Sequence, residues 1–122
     1  MANETRELVI VATHGIDHEL SSVAFTIANG GLTAGLKVGV FLTSAAVDLV
    51  RKRALDTTHV APLEPLRALV QDFLARGGTL WACTPCVKAR GYEQADLIDG
   101  VVITGASALH GRIKEGAATL SF

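Results

Sequence analysis

Leu8-Val9-Ile10-Val11-Ala12 is an unbroken apolar run rich in β-branched side chains, the pattern of a strand covered on both faces in the middle of a parallel sheet. Downstream, Leu20, Val23, Ala24, Ile27 and Ala28 recur at helical spacing. Asp17 is the expected N-cap, and Gly30-Gly31 are expected to weaken the far end. Lys37 to Thr43 then carries Val38, Val40, Phe41 and Leu42 as a second strand. Strand, helix and strand in this order form one parallel unit with an expected right-handed crossover.

The pattern continues. Ser44 is expected to cap a short helix through Val50, with Arg51-Lys52-Arg53 placing positive charge at its C-terminal end. After a polar stretch closed by Pro62 and Pro65, Leu66, Leu69, Val70, Phe73 and Leu74 fit a third helix ending at Gly77-Gly78. Thr79 to Cys83 reads as a third strand, and Pro85 suits the first turn of a helix that stops at Gly91. Val101 to Thr104 is a fourth strand, Ser107 the expected cap of a helix carrying Leu109 and Ile113, and Ala118 to Phe122 a short fifth strand. The expectation is one domain over residues 1–122, a three-layer α/β/α sandwich on a five-stranded parallel sheet, with the strand order left open.

Composition narrows the function classes. With 11 Lys plus Arg against 12 Asp plus Glu, the 122-residue chain has no strong field to attract nucleic acid or an anionic membrane. Met1 to Glu7 is polar, and no apolar run reaches roughly 18 residues, so a cytoplasmic location is expected. No G-x-x-x-x-G-K-[ST] or G-x-G-x-x-G stretch follows the first strand, and the glycines at 30, 31 and 35 come after the first helix. Nucleotide chemistry and a bound cofactor are not expected.

In an open parallel sheet the working groups collect at the carboxyl ends of the strands. Here those ends carry Thr13, His14, Gly15 and Asp17, then Thr43 and Ser44, then Cys83, Thr84 and Cys86. Two cysteines spaced C-x-x-C in a reducing compartment point to redox, sulfur or metal chemistry, while two small buried core residues are the plain alternative. Cys83, at a strand-to-helix junction, is expected to be the readier thiolate, with His14 approaching from a neighbouring strand as base or charge partner and Cys86 acting second. The alternative for His14 is that it only orders its own turn. A zinc site would need His14 and His18 to meet both cysteines and is not the expected use. His59, His110, Arg51 to Arg53 and Arg112 to Glu115 are given no role, the charge runs being solvated helix faces.

Six segments in order, V-I-V-A-T-H-G (9–15), V-A-F-T-I-A (23–28), G-L-K-V-G-V-F-L-T (35–43), A-C-T-P-C-V-K-A-R-G-Y (82–92), D-L-I-D-G-V (96–101) and T-L-S-F (119–122), resemble the DsrE-like (DsrE/DsrF) sulfur-relay family. The resemblance spans Leu8 to Phe122. It implies a five-stranded parallel sheet, homo-oligomers such as trimers or hexamers, and a cysteine that carries persulfide sulfur between donor and acceptor proteins or small thiols. In relay members that cysteine precedes an Arg-Gly pair by a short helix, which maps onto Cys83 ahead of Arg90-Gly91. The second cysteine departs from the relay subunits and resembles the single-gene YchN-type branch. The resulting expectation is a sulfur carrier or sulfurtransferase-like protein working through Cys83 and Cys86. A dithiol-disulfide redox protein and a non-catalytic module binding a small ligand or partner are the alternatives.

Overall fold

The computed structural model describes residues 6–122, so most of the polar N-terminal stretch considered above lies outside the described residues. Five strands, β1 (Glu7–Ala12), β2 (Lys37–Leu42), β3 (Thr79–Cys83), β4 (Val101–Thr104) and β5 (Ala118–Ser121), form one sheet in the order β4-β3-β2-β1-β5. Every neighbouring pair is parallel, as the apolar strands predict. Helices α1 (Glu19–Thr33), α2 (Leu66–Ala75), α3 (Thr84–Ala89) and α4 (Ala106–Lys114) alternate with the strands, and a 3-10 segment, Ser44–Val50, leaves the end of β2. Among the described residues, no helix is long and apolar enough to cross a membrane.

The strand period of two sorts side chains to opposite faces. Leu8 and Val38, paired across β1 and β2, both face α1, where they approach Gly31. Gly31 therefore does not end the helix as expected. α1 continues to Thr33, and a Cβ at this position would lie 2.9 Å from Val38, so glycine is what lets helix and sheet close. On the opposite face Trp81 pairs with Phe41 and lies across Gly39, where a Cβ would sit 2.4 Å from its ring. The Arg112 guanidinium of α4 covers that ring at 5.5 Å and also bonds Glu7 of β1 at 3.2 Å. Arg112 is thus a fastener between helix and sheet, rather than only part of a solvated face.

α1 and α2 pack against each other through Phe25 and Phe73, whose rings meet edge-on at 5.7 Å. The buried side of α1 is Ala24, Phe25 and Ala28 together with Ser21, Ser22 and Asn29, while Ile27, expected inside, is 36% exposed. Two of the polar residues on that side have donor groups that are met: the Ser21 hydroxyl is shared between the carbonyls of His14 and Gly15, and the Asn29 amide N–H donates to that of Leu69, while the Asn29 Oδ1 finds no partner among the described residues.

Three expected caps are replaced. α1 is capped by His18, whose Nδ1 accepts from the Leu20 N–H at 3.1 Å, and Asp17 instead stands at φ +66° with its carboxylate accepting from Thr58. Thr43, not Ser44, precedes the 3-10 segment, and Gly105, not Ser107, precedes α4. The Thr43 side chain adds no capping bond and Gly105 has no side chain to add one, so packing of the apolar faces sets these two starts.

Candidate functional site

Because β2 lies between β1 and β3, the strand ends that flank the end of β3 are those of β2 and β4, not that of β1. His14, after β1, is separated from Cys83 by a whole strand and is not on the neighbouring one. Cys83 closes β3 and serves as the extended N-cap residue of α3, without a side-chain capping bond. Pro85 in the first turn fixes the helical backbone there, so Cys86 is delivered one turn beyond Cys83.

The sulfur of Cys86 reaches the end of β2. It accepts the Ser44 N–H at 3.1 Å and lies 3.5 Å from the Thr43 hydroxyl. Ser44 holds φ +54°, a left-handed conformation that costs a non-glycine residue on the order of 1–3 kcal/mol and persists only where the surroundings impose it. The result is a backbone donor aimed at a thiol. These contacts bring the Cys86 thiol below its ordinary value: the Thr43 hydroxyl contributes most, burial opposes it, and the Ser44 N–H, the Cys83 thiol and the Arg90 guanidinium add to the lowering.

Sequence reasoning placed the readier thiolate at Cys83, yet the contacts that favour a thiolate lie at Cys86. Cys83 is 9% exposed and packs in the core cluster, whereas Cys86 is half-buried at its margin. Both thiols are free. α3 has only six residues, so its dipole is a weaker source of stabilisation than the direct donors around Cys86.

Arg90 is held where it can act on that sulfur. Its Nη1 reaches the Cys86 carbonyl at 3.5 Å, and its Nε pairs with Asp48 at 3.2 Å. The same Asp48 oxygen accepts the Tyr92 hydroxyl at 2.6 Å, and the Arg51 guanidinium lies 5.8 Å from the Tyr92 ring centre. The hydrogen bond to Asp48 raises the Tyr92 pKa, with burial and the carboxylate charge adding to it, so the phenol stays a neutral donor. Asp48 belongs to the 3-10 segment that begins at Ser44, so one short element presents both the N–H donor and the anchor for Arg90. No sequence pattern linked Asp48 to Tyr92. They lie 44 residues apart and meet only because β2 and β3 are adjacent.

His14 and His18 stack with ring centres 3.9 Å apart, and His14 Nδ1 lies 3.4 Å from the Thr13 hydroxyl. Among the described residues no three His, Cys, Asp or Glu side chains are grouped to hold a metal ion, so the loops do not assemble the four-ligand zinc arrangement weighed above. His18 caps α1, and His14 stacks on it.

With this geometry in place, comparison with known proteins supplies the lineage. The sequence profile described as the DsrE/DsrF-like family matches residues 6–122. An uncharacterized protein of Methanocaldococcus jannaschii, MJ0989, is 26% identical over 115 residues, covering 94% of this chain and 96% of its own. Among solved structures, the ychN protein of E. coli superposes with a TM-score of 0.74 at 20% identity, covering 97% of this chain and 100% of that one. MTH1491 of Methanobacterium thermoautotrophicum gives 0.73 at 19% identity, covering 98% and 100%. At these identities the two structures speak for the fold, whereas the profile spans nearly the whole chain. The chain belongs to the DsrE/DsrF-like family.

Proposed function

We propose that this protein is a sulfur carrier of the relay type, in which Cys86 takes sulfane sulfur as a persulfide and Cys83 is the second thiol. The observation that carries the reading is the Cys86 sulfur at the end of the sheet, facing the Ser44 N–H at 3.1 Å and the Thr43 hydroxyl at 3.5 Å. Donors in that position stabilise a thiolate, which is the nucleophilic form. The Cys86 thiolate attacks the outer sulfur of a donor persulfide R–S–SH, forming Cys86–S–SH and releasing R–S⁻. An acceptor thiolate then takes the outer sulfur and restores the Cys86 thiolate. If the Cys83 thiolate attacks the inner sulfur instead, a Cys83–Cys86 disulfide forms and HS⁻ leaves.

Mass spectrometry after incubation with glutathione persulfide tests this. The expected result is one added sulfur atom on Cys86, retained and longer-lived in Cys83→Ser and absent in Cys86→Ser. Persulfide formed equally well in Cys86→Ser would overturn the assignment. A dithiol redox role is the second reading, supported by the C-x-x-C spacing that sets two free thiols about one helical turn apart at the start of α3. It requires a reversible disulfide at a defined potential with no sulfur added by the donor.

The chain is also proposed to self-associate. β4 and β5 are the sheet edges, and Val102 and Leu120 on them are 51% and 43% exposed, leaving apolar side chains beside unpaired strand edges. Sedimentation at micromolar concentration should give a trimer or hexamer. A clean monomer would refute this.

A further inference from the structure

Away from the thiols, a cavity of about 480 Å³ lies between the loop that follows the 3-10 segment and α2. Its volume falls within the roughly 300–1,000 Å³ usual for small-molecule sites. Leu55 and Ile98 give its floor apolar surface, backed from beneath by the fully buried Leu49 and Val70. Arg51, Lys52, Arg53 and Arg67 stand around it against a single lining carboxylate, Asp56.

This concentration of charge is not a reflection of composition, since the whole chain carries a formal net charge of −1. Nor is it cancelled locally. Asp56 is shared between Arg53 at 3.6 Å and Arg67 at 3.8 Å, and those guanidinium side chains are 90% and 59% exposed, so both pairs are weak and open to exchange. Among the described residues Lys52 pairs with no carboxylate. Lys52 and the flanking backbone are nevertheless fixed in place, because the Lys52 N–H donates to the Asp96 carbonyl at 2.9 Å and the Ile98 N–H to that of Val50 at 2.8 Å. An apolar floor under a cationic rim suits a ligand with a hydrocarbon or aromatic body and an anionic head.

We propose that this cavity binds a small amphipathic organic anion, its body against Leu55 and Ile98 and its head between Lys52 and Arg67. The proposal does not depend on the thiol reading, since neither cysteine lines the cavity.

Octanoate is the probe, followed by amide chemical shifts and calorimetry on the full chain, with acetate carrying the head alone and 1-octanol the body alone. Shifts should concentrate in residues 49–56, 67–71 and 98, with octanoate binding at least tenfold tighter than either control. Lys52 and Arg67 are exposed, so Lys52→Glu with Arg67→Glu should leave the fold intact and weaken octanoate at least tenfold. Lys52→Gln alone should weaken it by a smaller factor, which keeps the test decisive should the double variant misfold. Octanoate affinity unchanged by these substitutions, octanol binding as tightly as octanoate, or shifts centred elsewhere would each overturn the proposal. Because the measurement involves no sulfur transfer, its failure is distinct from failure of the persulfide experiment.

Discussion

Limiting alkylation at pH 7 is expected to label Cys86 on the order of tenfold faster than Cys83, because attack requires an accessible thiolate. An ordinary thiol, with a pKa near 8.5, is only about 3% ionised at that pH. Cys86 gains from its donors and from its position at the margin of the core, while Cys83 is 9% exposed. The sign follows from the lowered pKa of Cys86: its labelling rate falls as pH drops below the depressed midpoint and levels off above it, so the plateau begins at a lower pH than for a free thiol. Thr43→Val removes the largest lowering contact and should move the midpoint upward, and Arg90→Gln should move it the same way by less. His14→Ala should leave it in place, since His14 stacks on His18 beyond the intervening strand. Faster labelling of Cys83, or a Thr43→Val midpoint equal to that of the parent, would remove the structural basis for a Cys86 thiolate.

The largest effect on stability is expected at Phe73. It is fully buried, meets Phe25 edge-on at 5.7 Å, and covers Gly78, where a Cβ would come within 2.3 Å of the ring. Phe73→Ala deletes the ring from between two helices and a turn that cannot collapse onto each other, so a loss of about 3–5 kcal/mol is expected from the transfer and cavity terms together. Urea unfolding would read it as a lower midpoint with an unchanged slope. A loss below about 1 kcal/mol would mean that the space closes and that the α1–α2 contact does not depend on the ring.

The sequence determined the class of fold and the end of the sheet that carries the candidate site. Leu8–Ala12 and Val38–Leu42 are apolar without interruption, and only a sheet covered on both faces hides both sides of such strands. The period of Leu66, Leu69, Val70 and Phe73 likewise set α2, and C-x-x-C at a strand end marked the thiols. Strand order was decided by the tertiary structure, because it depends on which faces pack and not on any local period. That order put β2 between His14 and Cys83, and brought Thr43 and Ser44 to Cys86. It also joined Asp48 to Tyr92 and Arg90 across more than 40 residues, an association that no spacing encodes. The surroundings of Cys86 follow the same logic: donors that reach a cysteine sulfur favour its thiolate, and the Thr43 and Ser44 groups arrive from a different strand.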